Sequence, residues 1–274
     1  MDAILGRVSP AATLDEILAP LRSDPAGGAV LLDVDGTLAP IVRDPEAATV
    51  PERMRRVVHR LTETYGLVGC VSGRRATVAR RMVGIGSIPY AGNHGAELLL
   101  RGAGSATVDP EAERWAGRVR GVADAVRADR LRESGLLRED KGPIVALHWR
   151  GADDEVRAEA LAREIAASAR EAGLVIHDGR RVLEIRPPVP IGKDAAVRRL
   201  LAITPVDVAL YVGDDRTDVD AFDGLRGMVE EGRLRTAICA GVRSEETPSE
   251  LLDAADVLVD GVDGVRDLLE SLVA

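Results

Sequence analysis

An apolar run that ends in two carboxylates limits what this chain can become. Ala29-Val30-Leu31-Leu32 leads straight into Asp33-Val34-Asp35-Gly36-Thr37-Leu38. Consecutive apolar residues of this kind read as a strand buried on both faces, which Gly36 then ends. In an open parallel sheet, ligands bind at the carboxyl ends of strands, so Asp33 and Asp35 fall where chemistry is expected. Alternation along an extended chain puts residues 33 and 35 on one side and Val34 on the other. Two acids side by side repel each other unless a cation lies between them. The cation implied is hard and oxygen-seeking, with Mg2+ the first choice. Taken alone, the segment reads equally as an Asp-rich turn with Asp35-Gly36 at its corner.

The surrounding pattern is that of an α/β protein. Thr13-Leu14-Asp15-Glu16 reads as a capping box opening a short helix that Pro20 interrupts or ends. Pro51 suits the first turn of a helix running to about Tyr65. Residues 66–71 form a second apolar strand ending in Ser72-Gly73-Arg74; a helix follows to about Val83, and residues 88–91 feed Gly92-Asn93-His94-Gly95-Ala96-Glu97. This alternation of strands and helices predicts a parallel sheet. The rhythm changes between residues 98 and 188. A strand at 98–100, a helix over 110–128, a strand at 144–149, a helix over 154–172 and strands at 174–177 and 181–186 suit an antiparallel sheet with helices on one face. Asp178-Gly179 reads as the turn joining the last two strands. From Ile191 the α/β rhythm resumes. The expected organisation is a discontinuous core, residues 1–97 and 189–274, interrupted by an α+β unit at 98–188.

The 274 residues can bury a substantial core, and a net charge of −9 argues against nucleic acid as a partner. One Phe, three Tyr and two Trp also leave few platforms for stacking bases. No run approaches the length of a membrane span, and the first residues do not read as a signal sequence, so a cytoplasmic address is expected. Cys70 and Cys239 sit in apolar runs and read as core. Of 36 basic residues only Lys141 and Lys193 are lysine, and Asn93 is the only asparagine. A lysine kept against such an arginine bias points to a need for a compact ammonium group.

Three later segments bear on the first. Gly213-Asp214-Asp215-Arg216-Thr217-Asp218 follows another apolar strand and brings more carboxylates to the same sheet edge. It reads equally as an ordinary helix start, but two acidic clusters at strand ends favour a metal site. Ser72-Gly73-Arg74 offers a hydroxyl and amides at a helix start, either an anion seat or a plain cap. Lys193 opens a helix, where the dipole disfavours a cation, so its charge is expected to serve the acids and a phosphate.

These segments, in this order, resemble the haloacid dehalogenase superfamily of phosphotransferases. Within it the chain resembles the trehalose-6-phosphate phosphatases through residues 32–41, Val71-Ser72-Gly73-Arg74, residues 92–97, Lys141, His148-Trp149-Arg150, Glu184-Ile185-Arg186-Pro187 and residues 213–218. Asp194 and Val219 depart from the pattern, where the family usually has glycine and an acid.

The resemblance implies a Rossmann-like core with an inserted cap that closes over the sugar. It makes Asp33 the nucleophile that forms an aspartyl-phosphate and Asp35 the general acid and base. Thr37, Ser72 and Lys193 would grip the phosphoryl oxygens. Mg2+ would be held by Asp33, the Asp35 carbonyl and Asp214, with Asp215 and Asp218 orienting its waters. Arg74, Asn93, His94, Glu97, Lys141, Arg150 and Glu184 would bind the substrate. A separate trehalose-phosphate synthase is the expected functional partner. The alternatives are a related capped phosphatase acting on sucrose phosphate, mannosyl-phosphoglycerate or another sugar phosphate, a mutase that returns the phosphoryl group, and a regulatory protein that binds a sugar phosphate without turnover.

Overall fold

The structure, a computed structural model, describes residues 13–42, 47–179, 181–245 and 247–273. It divides into two compact units, one formed by the chain up to Thr107 and from Ile191 onward, the other by Val108–Pro190.

In chain order the first unit opens with α1 (Leu14–Ser23), β1 (Gly28–Asp33), α2 (Glu52–Thr64), β2 (Leu67–Val71), α3 (Ala76–Val83), β3 (Tyr90–Gly92), β4 (Glu97–Leu99) and β5 (Thr107–Val108). The second unit contributes α4 (Pro110–Asp124), α5 (Ala128–Ser134), β6 (Leu137–Asp140), β7 (Val145–His148), α6 (Glu155–Glu171), β8 (Val175–Gly179) and β9 (Val182–Arg186). The chain then returns with α7 (Lys193–Leu201), β10 (Val208–Gly213), α8 (Arg216–Glu230), β11 (Thr236–Arg243), α9 (Ser249–Ala254), β12 (Val257–Asp260) and α10 (Gly261–Ser271).

The sheet of the first unit has the order β12-β11-β10-β1-β2-β3-β4-β5. Pairing is parallel from β12 to β3 and antiparallel between β3 and β4. Strand order reverses at β1, whose neighbours are β2 on one side and β10 on the other. Leu32 lies opposite Val212, so the carboxyl ends of β1 and β10 are side by side at a topological switch point. Both strands are buried throughout, as a parallel sheet covered on two faces requires. Val30 and Leu32 pack into one core with residues of α1, α2 and α10; Ala29 and Leu31 pack into another with α7 and α8.

Pro20 does not stop α1, which continues to Ser23. Ile17, Leu18 and Leu21 are buried on either side of it, and that packing outweighs the local cost of a proline inside a helix. The expected border of the core at residue 98 falls inside β4, which pairs with β3, so the first unit runs on to Thr107.

The second unit is a four-stranded antiparallel sheet ordered β6-β7-β9-β8. Val145, Leu147, Leu183 and Ile185 point from β7 and β9 into a core with Val119 of α4 and Leu161 and Ile165 of α6. The long helix expected over 110–128 ends at Asp124, and α5 and β6 follow where the sequence shows neither. β6, Leu-Arg-Glu-Asp, is an edge strand with every residue exposed, so it carries no buried alternation to announce it. Asp178 and Gly179 lie inside β8, opposite Leu183 and Val182, so the chain reverses after Gly179 rather than at it. Arg181, with φ 57°, takes the left-handed conformation there. Among the described residues no helix is long and apolar enough to cross a membrane.

Candidate active site

The ends of β1 and β10 and the starts of α7 and α8 bring Asp33, Lys193, Asp214, Asp215 and Asp218 together. Lys193 is buried at the first turn of α7, and its Nζ donates to Asp33 Oδ1 at 2.8 Å and to Asp218 Oδ1 at 2.6 Å, with Asp215 Oδ1 at 3.8 Å. Burial works against the ammonium charge, but Asp218 and Asp33 more than offset it and hold the lysine well above its ordinary range. Its position against the helix dipole is thus explained by the acids it faces.

Asp33 is itself buried, and burial pushes its carboxyl well up; Lys193 opposes this, while Asp218, Asp214 and Asp215 add to it. Asp214 is pushed up to about 8 by burial, then by Asp218 and Asp215. Asp33, Asp214 and Asp218 each offer an oxygen within 4.8 Å of the others. Hard oxygen donors in a site that raises their affinity for protons suit a divalent cation, which would relieve the same repulsion. Asp218 is the least open of the three. Besides Lys193, its Oδ1 accepts from the Tyr211 hydroxyl at 2.6 Å, and its Oδ2 accepts from the N–H groups of Asp214 and Asp215 at 3.0 and 2.9 Å. Asp33 and Asp214 are therefore the side chains best placed to hold a metal. Asp215 caps α8, accepting from the N–H groups of Thr217 and Asp218. That Asp218, one turn into α8, leans back over the Asp214-Asp215 loop is legible in the sequence; its bond from Tyr211 is not.

The loop after β1 is folded back by hydrogen bonds from Gly36 N–H to the Ala39 carbonyl and from Leu38 and Ala39 N–H to the Val34 carbonyl. This buries Thr37, whose hydroxyl lies 3.4 Å from Asp214 Oδ1. Gly36 has φ 81°, and a Cβ there would sit 2.0 Å from Asp214 Oδ2. Asp35 is half-buried and gripped by Arg74 through both carboxylate oxygens at 2.7 Å. Ser72 is buried at the end of β2, where its hydroxyl accepts from the Arg74 N–H at 3.1 Å.

Asn93, His94 and Gly95 form a tight turn after β3 in which all three residues have positive φ. His94 lies over Gly73, where a Cβ would come within 2.7 Å of His94 Nε2. The turn thus stays against the Ser72-Gly73-Arg74 loop. Glu97 is turned elsewhere: its oxygens accept from Ala76 N–H at 2.9 Å and Arg75 Nε at 3.3 Å, bracing the start of α3.

The second unit holds its own charged cluster on the sheet face away from its helices. Glu184 Oε1 accepts from Lys141 Nζ at 3.0 Å, and Arg186 grips Glu184 Oε2 through Nε at 2.9 Å and Nη2 at 2.5 Å. Glu139 accepts from His148 Nε2 at 3.0 Å and lies 3.9 Å from Lys141 Nζ. Ala146 stands between Glu139 and Glu184 in the cross-strand row. Glu139 and Arg186 join the expected Lys141 and Glu184; only the pairing of β6 with β7 reveals Glu139. Arg150 is exposed in the turn after β7 and is not brought into the cluster.

Residues 31–254 match the family described as trehalose-phosphatase. The chain belongs to that family. An uncharacterized glycosyl hydrolase of Mycobacterium tuberculosis is 36% identical over 214 residues, 72% of this chain and 15% of that protein. The trehalose-phosphate phosphatase of Mycobacterium marinum is 34% identical over 242 residues, 82% of this chain and 60% of that protein. The chain thus spans 15% and 60% of the length of these two relatives. The C-terminal domain of trehalose-6-phosphate phosphatase from C. albicans superposes with a TM-score of 0.75 at 21% identity, covering 97% of this chain and 98% of that one. The fold, an α/β core sheet with an additional antiparallel sheet, is shared with a haloacid dehalogenase-like hydrolase from Bacteroides thetaiotaomicron, 13% identical with a TM-score of 0.62 over 89% of this chain and 99% of that one.

Proposed function

We propose that this chain hydrolyses trehalose 6-phosphate to trehalose and phosphate through an aspartyl-phosphate on Asp33, with Mg2+ as cofactor. The observation that carries the proposal is Asp33 at the end of β1, held by the buried ammonium of Lys193 beside the Asp214 carboxylate. The family supports the choice of substrate.

In this reading an oxygen of Asp33 attacks phosphorus while the bond from phosphorus to the sugar oxygen breaks, and Asp35 delivers a proton to that oxygen. Asp35 then takes a proton from the water that attacks phosphorus and releases phosphate from Asp33. Lys193, Thr37 and Ser72 hold the phosphoryl oxygens, the lysine facing charge that grows in the transition state. Asp33, Asp214 and the Asp35 carbonyl would hold Mg2+, whose charge lets a carboxylate approach a phosphate dianion. Asp218 aims Lys193 and Asp215 fixes the loop. We assign recognition of the disaccharide hydroxyls to Lys141 and Glu184, with Glu139 added from the fold. The substrate would come from a separate synthase that joins two sugars and leaves the phosphate, in the cytoplasm.

The test is phosphate release with and without Mg2+ from trehalose 6-phosphate, sucrose 6-phosphate, glucose 6-phosphate and a small aryl phosphate, alongside Asp33→Asn. Mg2+-dependent preference for trehalose 6-phosphate, lost in the variant, is expected. Preference for another sugar phosphate would replace the substrate but keep the chemistry. No release from any ester would overturn the enzyme reading.

A further inference from the structure

Three tyrosines occur in the chain, and they use their hydroxyls differently. Tyr65 and Tyr90 donate to the backbone carbonyls of Leu272 and Ile85. Tyr211 donates to a carboxylate, Asp218 Oδ1, at 2.6 Å. Its ring comes from β10, fully buried on the face shared with α7 and α8, and meets Phe222 of α8 edge-on with centroids 6.0 Å apart. The oxygen it binds is the one that receives Lys193 Nζ at 2.6 Å, and the same Nζ reaches Asp33 Oδ1 at 2.8 Å.

We infer that Tyr211 is a positioning residue for the phosphoryl site, acting from inside the core through Asp218 on the ammonium of Lys193. This rests on the reading of Lys193 as a phosphate-gripping residue. The physical case is one of competition at a single oxygen. Asp218 Oδ2 is fixed by the two N–H groups at the start of α8, which leaves Oδ1 to face the core. Two donors share Oδ1, and each weakens the hold of the other. Without the hydroxyl, Asp218 binds Lys193 alone and is free to turn about its fixed oxygen. The ammonium then moves with Asp218, away from Asp33 and from the phosphoryl oxygens that gather there. Small displacements of this kind reduce rate more than binding when the group acts chiefly in the transition state.

Tyr211→Phe keeps the ring and its packing on Phe222 and removes only the hydroxyl. The variant is expected to lose about 10-fold in kcat with KM changed less than about 2-fold, by the same factor on trehalose 6-phosphate and on a small aryl phosphate. In a Lys193→Met background the same change is expected to cost no more than about 2-fold, because both residues act through one chain of contacts. An unchanged kcat with a lowered melting temperature would make Tyr211 purely structural and overturn the inference. Full additivity with Lys193→Met would also overturn it. If the wild type releases no phosphate from any ester, the phosphatase reading falls, and calorimetric binding of orthovanadate with Mg2+ decides, since vanadate takes up the five-coordinate geometry of phosphoryl transfer. Vanadate binding weakened about 10-fold in Tyr211→Phe supports the role of the hydroxyl, whereas equal binding, or none by the wild type, overturns it.

Discussion

Arg74 lies along the carboxylate of Asp35 as a fork, Nε to Oδ2 and Nη2 to Oδ1, each at 2.7 Å. Both oxygens of the proposed general acid and base thus accept from one guanidinium, which leaves each a second lone pair for exchange of a proton with substrate or water. A phosphate dianion competes for the same planar donors, so arrival of substrate is itself a reason for Arg74 to turn.

Arg74→Lys tests this, because lysine keeps the charge and loses the fork. Steady-state kinetics should show kcat/KM lowered by about 10- to 100-fold on trehalose 6-phosphate and on an aryl phosphate alike. A loss confined to the sugar substrate would assign Arg74 to the sugar instead of the phosphate.

Gly36 is required twice over, by its φ of 81° and by the place a Cβ would take 2.0 Å from Asp214 Oδ2. Gly36→Ala should therefore strain the turn and push Asp214 outward together. The expected cost is about 1–2 kcal/mol in thermal or urea unfolding. A several-fold rise in the Mg2+ needed for half-maximal activity should accompany it. Lost stability with an unchanged Mg2+ requirement would remove Asp214 from the metal site.

Glu184 carries a bond from Lys141 on one oxygen and a fork from Arg186 on the other, all three side chains buried. Glu184→Ala would strip two buried cations of this carboxylate and destabilise the second unit by about 3–5 kcal/mol, confusing any kinetic result. Glu184→Gln keeps the shape and an acceptor. Its KM for trehalose 6-phosphate should rise at least about 10-fold, with hydrolysis of a small aryl phosphate within about 2-fold of wild type. Equal effects on both substrates would end the sugar-reading role.

The legible parts of this protein are those where burial and chemistry coincide along the chain. β1, β2 and β10 are apolar runs because both faces of the sheet are covered, and each ends in a polar cluster because strand ends meet at a switch point. Asp33, Asp35, Ser72 and Asp214 could be read for that reason. β6 could not, since an exposed edge strand has no pattern to display. Tyr211 and Glu139 lie in apolar and charged runs respectively, and their partners Asp218 and His148 are chosen by side-chain direction and strand register, which spacing along the chain does not express. Glu97 shows the converse. It sits in a stretch that resembles a substrate loop, yet the first turn of α3 takes both its oxygens.

The titration of the acid cluster predicts an unusual dependence of stability on pH. Asp214 is pushed up to about 8, first by burial and then by Asp218 and Asp215, with Asp35 adding to the effect and Lys193 opposing it. Asp218 is pushed up to about 6, again chiefly by burial, and Asp33 is raised as well. A carboxyl raised in the folded state keeps a proton that the unfolded chain has already released, so it favours folding at low pH and loses that contribution as pH rises through its folded value. Lys193 is raised and stays protonated in both states across this range, so it adds no slope below the ordinary lysine range. Between about pH 5 and 8, the protein in EDTA should therefore lose several degrees in melting temperature. A divalent cation binds the deprotonated acids, so saturating Mg2+ should flatten the decline and raise the melting temperature most at the alkaline end. Thermal unfolding in EDTA and in Mg2+ across that range measures both slopes. A profile in EDTA that is flat or rises with pH would mean that Asp214 and Asp33 are ionised without a metal, and the repulsion argued to seat the cation would be absent.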